Sequence, residues 1–317
     1  MLYKKSKILI GFLIISTVHN ALGQNPSELY NSSIEQMNKG DYPIAMNYIN
    51  RALQGDSSKS DYVLQKAKLC YYLNKYDEAI RYCYSIQKTQ PDNPQVLLLR
   101  GLIGLTTKSY GGAIFLFGKV IKSSTDKDCL SKAYLYRGKV YLATDKANEA
   151  IADLNAANVI KPDSLDILMS YAEAYIKLNQ IDEAIAKVSK AISMHPKYAD
   201  AYKTLGYIYY QKKENDKALD ALNKFCELNS NDVGVFQTMS LIYLDSKIFD
   251  NALLNIGRAS QIDPSDPLNY KILAFIYFAK GQKDEGCNSA FRAFQYGYLE
   301  KYGYDLLDIY LKNCEGN

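Results

Sequence analysis

Between Leu165 and Pro196 the chain reads LDILMSYAEAYIKLNQIDEAIAKVSKAISMHP, and its apolar residues fall into two stripes. Leu168, Tyr171, Ala172 and Tyr175 recur at the i, i+3, i+4, i+7 spacing of one helix face. Asn179-Gln180 interrupts that pattern. A second face follows Asp182-Glu183 and carries Ala184, Val188, Ala191 and Ile192, until Pro196 stops it. The stretch predicts two short amphipathic helices joined by a tight turn. Neither can bury its stripe alone, so the hairpin requires copies of itself on both sides.

The copies recur with a 34-residue register. Repeats starting at Pro26, Ser60, Pro94, Ser131, Leu165, Ala199, Val233 and Pro267 align in columns. The eighth residue is always small: Ser33, Ala67, Gly101, Gly138, Ala172, Gly206, Ser240 and Ala274. So is the twentieth: Ala45, Ala79, Ala113, Ala150, Ala184, Ala218, Ala252 and Gly286. Helices that cross about 8–10 Å apart leave no room for a large side chain at the crossing point. The eleventh residue is large instead in the last five repeats, at Tyr141, Tyr175, Tyr209, Tyr243 and Tyr277. Prolines 91, 162, 196 and 264 close several repeats.

This arrangement of a large residue, a small one, a tyrosine, a later alanine and a closing proline resembles the tetratricopeptide repeat (TPR) family. The resemblance runs from Pro26 to about Glu300 and implies an all-α, right-handed α-solenoid of about eight helix-turn-helix TPR units. There are departures. The chain has no Trp, Gln36 and Gly104 occupy the tyrosine column, and three extra residues around Asp128–Leu130 precede the fourth repeat. A longer loop is expected there. After the eighth repeat, Leu306, Leu307, Tyr310 and Leu311 form a stripe in 300–313, which predicts a helix capping the open end of the array.

The first 23 residues differ in character. Lys4, Lys5 and Lys7 precede an apolar run over 8–18, and Ala21-Leu22-Gly23 supplies a small-x-small site. This is the layout of a secretory signal peptide cleaved before Gln24, and no cysteine follows to take a lipid. The run is too short to span a bilayer. The expected organisation is therefore a leader over 1–23, a repeat array over 24–300 and a cap with its tail over 301–317. The expected location is extracytoplasmic, in the periplasm or outside the cell. Three of the 38 Lys+Arg and none of the 34 Asp+Glu lie in the leader, so the remaining chain is close to neutral. A near-neutral, evenly mixed surface is not that of a nucleic-acid binder.

Candidate chemistry is sparse. His195 is the one histidine beyond the leader and stands at a predicted helix end, which leaves no basis for a histidine triad or a His-rich metal site. The acidic pairs Asp77-Glu78, Asp182-Glu183 and Asp284-Glu285 share one repeat position, the start of the second helix, and read as helix caps. Asp126-Lys127-Asp128 and 263–266 lack the glycine and glutamate of an EF-hand. None of Cys70, Cys83, Cys129, Cys226, Cys287 and Cys314 has C-x-x-C spacing. Cys70 and Cys83 face one another across one hairpin, which leaves a disulfide open in an exported chain and favours two buried apolar thiols. No enzyme, cofactor or metal site is expected.

What remains is surface. The resemblance implies that the fifth, ninth and twelfth positions of the first helices line a concave groove that takes up partner peptides or helices. The residues placed there are Leu98, Leu102, Leu135, Lys139, Met169, Lys203, Tyr207, Leu241, Lys271 and Phe275. Apolar anchors beside isolated lysines suit a protein partner's mixed surface. The expected function is an exported protein–protein interaction scaffold in a cell-envelope or secretion-related complex. The alternative is a binder of a glycan or lipid of the envelope through the tyrosine-rich surface.

Overall fold

A computed structural model describes residues 25–229 and 231–315; the leader expected over 1–23 lies outside them. Among the described residues every regular element is helical and no strand occurs. The chain divides into two compact units at Pro162/Asp163. The N-terminal unit contains α1 (Pro26–Asn38), α2 (Tyr42–Gly55), α3 (Ser60–Tyr72), α4 (Tyr76–Gln87), α5 (Pro94–Thr106), α6 (Tyr110–Ser123), α7 (Lys127–Ala143) and α8 (Ala147–Ile160). The C-terminal unit contains α9 (Leu165–Lys177), α10 (Ile181–Met194), α11 (Ala199–Gln211), α12 (Asn215–Leu228), α13 (Val233–Asp245) and α14 (Phe249–Ile262). It continues through α15 (Pro267–Ala279), α16 (Lys283–Gln295), α17 (Tyr298–Tyr302), α18 (Asp305–Tyr310) and a π-helical turn, Leu311–Glu315.

Within each hairpin the small columns meet. Both are buried in all eight repeats. Where the eighth residue is serine, its hydroxyl donates to the carbonyl of the twentieth: Ser33 to Ala45 at 2.9 Å and Ser240 to Ala252 at 2.8 Å. At two of the three glycines in this column the missing side chain makes room for a large neighbour. A Cβ on Gly101 would run into the Phe117 ring, and one on Gly206 into Leu222.

The turns repeat as closely as the core. The fifteenth residue of each repeat has positive φ, from 57° to 84°, at Gly40, Asn74, Lys108, Asp145, Asn179, Lys213, Lys247 and Gly281. The N–H of the next residue then donates back to the carbonyl of the eleventh, as in Lys146 to Tyr141 and Gln180 to Tyr175, both 2.8 Å. This is the hydrogen bond that closes a helix through a left-handed residue. At Lys108, Lys213 and Lys247 a long side chain bears that conformation at a cost of roughly 1–2 kcal/mol, against the 0.5–1 kcal/mol entropy cost of glycine. Lys213→Gly is therefore expected to stabilise the chain by about 0.5 kcal/mol in urea unfolding. A lower midpoint would mean that the lysine stem contributes packing that outweighs the strain.

Three local expectations need correction. The extra residues before the fourth repeat make no loop. They lengthen α7 by one turn, because the Asp126 carboxylate accepts from the amides of Asp128 (2.8 Å) and Cys129 (3.3 Å), and Cys129 is buried. The acidic pairs do not cap the second helices. The N-cap residues of α4, α10 and α16 are Lys75, Gln180 and Gln282, none with a capping side chain, and the acids sit inside the first turn. There the favourable term is the helix dipole. Side-chain caps belong to first helices instead, at Asn25, Asn93, Asp126, Ser164, Asp232 and Asp266.

The third correction concerns the cap, which is not one helix. Gly303, at φ 89°, separates α17 from α18, and Leu311 is 42% exposed. Tyr298 and Leu306 nevertheless bury completely against Tyr270, Ala274, Ala290 and Ala293. A disulfide joins Cys287 of α16 to Cys314 of the final turn. Cys70 and Cys83 are free and buried, and burial pushes the Cys83 thiol up to about 12.

Candidate functional site

In the N-terminal unit the first helices of four successive repeats, α1, α3, α5 and α7, line one cavity of about 320 Å³. Its apolar wall comes from Met37, Tyr71, Tyr72, Leu98, Leu102 and Tyr136. Each side chain is placed by the helical period, which turns every third or fourth residue of a first helix toward the same side. Tyr72 is 47% exposed and stacks on Tyr42 with ring centroids 4.9 Å apart, so the rim is aromatic and held in place. The Tyr71 hydroxyl is 3.1 Å from Thr106 Oγ1, which links α3 to α5.

The polar part of the lining is Lys68, Gln95, Asp128 and Lys132, with the Cys129 thiol beside them. Lys132 holds Asp128 at 2.6 Å, and Lys68 Nζ donates to Gln95 Oε1 at 3.3 Å. Burial, reinforced by the charge of Lys132, pushes the Lys68 ammonium below the usual lysine range. The opposing charge of Asp61 offsets this only in part, so a cation with little compensating charge stands beside the apolar wall.

Of the ten residues placed on the groove from the sequence, Leu98 and Leu102 line this cavity. Leu98 retains only 6% exposure, as does Leu135, so these two are packing residues before they are anchors. Lys139 lies over the Tyr136 ring at 5.8 Å. In the C-terminal unit Met169, Tyr207, Leu241 and Phe275 are half-buried against their own hydrophobic clusters. Burial pushes the Tyr207 hydroxyl up to about 12.

Lys203 and Lys271 are not the isolated lysines expected from the sequence. Lys203 pairs with Asp232 at 3.1 Å and Asp200 at 3.3 Å, and Lys271 with Asp305 at 2.5 Å. Lys271 therefore ties the cap to α15. Column logic could have found Lys68, which occupies the ninth position of its repeat just as Leu102 does of the next. Gln95 and Lys132, at second positions, carry no such signal. Among the described residues no cluster of His, Cys, Asp and Glu could hold a metal ion, and no helix is long and apolar enough to cross a membrane.

Repeated hairpins with small residues at their crossings, left-handed turn residues and a cavity built from first helices define an all-α repeat solenoid. Its family is set by sequence. The tetratricopeptide repeat profile matches residues 64–128 and 172–233, and that of anaphase-promoting complex, cyclosome, subunit 3 matches 106–191. The chain is a tetratricopeptide repeat protein.

Solved structures with this fold include a tetratricopeptide repeat protein from Parabacteroides merdae. It is 16% identical over 80% of this chain and 99% of that one, with a TM-score of 0.58. A chain of the APC/C hetero-tetramer Cut9–Hcn1 is 18% identical over 80% of this chain, with a TM-score of 0.64, and this chain spans 52% of its length. PilF of Pseudomonas aeruginosa is 15% identical over 69% of this chain and 97% of that one, with a TM-score of 0.58. No curated relative matches the chain by sequence.

Proposed function

We propose that this chain is an exported, non-enzymatic scaffold that binds a protein partner in the cavity of its N-terminal unit, within a cell-envelope or secretion-related complex. The observation that carries the reading is the cavity itself. Four successive first helices surround it with aromatic and aliphatic side chains and a few fixed polar groups. That is the chemistry of a surface that buries a partner's apolar anchors and orients its polar ends. The fold class supports it, since tetratricopeptide repeat proteins generally act as interaction scaffolds rather than enzymes. Export is supported by the leader-like first 23 residues and by the Cys287–Cys314 disulfide, a bond that persists in oxidising compartments.

The test is a cross-linking pull-down from the native cell envelope, with residues 24–317 as bait beside a Leu102→Asp variant. Leu102 is half-buried at the edge of the core and lines the cavity, so a charge there reaches the cavity at less cost to the core than one at Leu98. Leu98 is too buried to serve. A partner should be retained by the parent and reduced at least tenfold by the variant, with helical circular dichroism unchanged. Equal retention would remove the cavity from the function.

A further inference from the structure

We propose that the occupant of the N-terminal cavity is an extended peptide segment with an internal Asp or Glu between apolar residues, its carboxylate seated on Lys68. This rests on the reading that the cavity is the partner site. The cavity presents two ammonium groups, Lys68 and Lys132, and one carboxylate, Asp128. That carboxylate is held by Lys132, whereas the hydrogen bond of Lys68 goes to a neutral amide oxygen. Asp61, a further carboxylate acting on Lys68, is outweighed by burial and Lys132, so the charge left for a partner is positive, and it belongs to Lys68. Burial and the nearby Lys132 disfavour the charged form of Lys68, and an incoming carboxylate opposes that penalty.

The position of Lys68 argues for an internal acid rather than a chain end. Lys68 lies on α3, the second of the four lining helices. Apolar lining continues on both sides of it, with Met37 on α1, and Leu98 and Leu102 on α5. A segment laid across these helices keeps burying side chains before and after the carboxylate. Alternate placement of apolar and acidic side chains is what an extended backbone supplies.

A random dodecapeptide display library, selected on the full chain and on Lys68→Glu and Leu102→Asp variants, tests this. The parent should enrich peptides with Asp or Glu flanked by Leu, Ile, Phe or Tyr. Synthetic versions of these should bind Lys68→Glu at least tenfold more weakly, and selection on that variant should favour Lys or Arg at the acidic position. Lys68→Gln, which keeps the size and removes the charge, should fall between the two. Apolar peptides without an acid bias that bind the Lys68→Glu variant equally, yet lose binding with Leu102→Asp, overturn the acidic occupant and leave the cavity as the partner site. Peptides that need a free terminal carboxylate, and fail when amidated, overturn the internal acid. Peptides indifferent to Leu102→Asp, or no enrichment at all, overturn the cavity reading itself.

Discussion

Asp153→Ala should lower the stability of the N-terminal unit by about 3 kcal/mol, the low end of the cost of leaving one partner of a buried ion pair alone. Asp153 is 5% exposed and takes two hydrogen bonds from Arg137, Nε to Oδ2 and Nη2 to Oδ1, both 2.7 Å. The pair is bidentate, the geometry in which a guanidinium and a carboxylate interact best. It joins α7 to α8 across one hairpin, and the bond to Asp153 holds the Arg137 guanidinium above its ordinary range. Removing the carboxylate leaves the guanidinium among the rings of Tyr134 and Tyr141. The Arg137 side chain keeps 22% exposure, so part of the cost is relieved by water, which sets the estimate at the low end.

At roughly 2–4 °C per kcal/mol, the thermal transition of the N-terminal unit should fall by roughly 6–12 °C in circular dichroism. Asp153→Leu combined with Arg137→Met should recover most of the loss, because an apolar pair of similar volume carries no uncompensated charge. A double variant as unstable as Asp153→Ala would show that hairpin packing, not the charge, sets the cost.

The pair occupies the seventh and twenty-third positions of its repeat, and the same register is solved differently elsewhere. Lys66 lies over the Tyr82 ring at 5.0 Å, and Lys187 over the Tyr171 ring at 4.6 Å. A cation facing a carboxylate or an aromatic ring is thus a recurring device, legible in the sequence only once the hairpin geometry relates residues 16 apart. What the sequence discloses best is whatever the backbone enforces in every copy. The small columns are required wherever helices cross, and so they survive eight times. What it hides is either local or distant. The turn of α7 added at Asp126 depends on a single capping carboxylate, and the break in the cap on Gly303. The cavity depends on residues from four repeats whose columns differ. Lys203 and Lys271 read as isolated lysines in the sequence because their acids, Asp232 and Asp305, stand 29 and 34 residues away.

The least legible feature is also the one with the other large expected effect. Cys287 and Cys314 are 27 residues apart with no motif around either, and the disulfide between them pins the last turn to α16. Closing a loop of that length corresponds to about 3.5 kcal/mol of chain entropy. Each repeat of such an array touches only its neighbours, so the loss on reduction should stay at the C-terminal end. Leu306 and Tyr298 would leave the surface formed by Ala274, Ala290 and Ala293, exposing an apolar face that favours association between chains.

Reductant should therefore lower the melting transition of the C-terminal end in the parent and leave Cys287→Ser/Cys314→Ser unaffected. It should also speed amide exchange over 298–311 while α9 and α10 keep their protection. Identical melts with and without reductant would make the bond incidental to the cap. The same bond reports on location. In chain alkylated directly from intact cells, Cys287 and Cys314 should resist labelling until reductant is added, and buried Cys70 and Cys83 should label only after unfolding. A chain whose Cys287 and Cys314 label without reductant has folded in a reducing compartment, and export would then have to be abandoned.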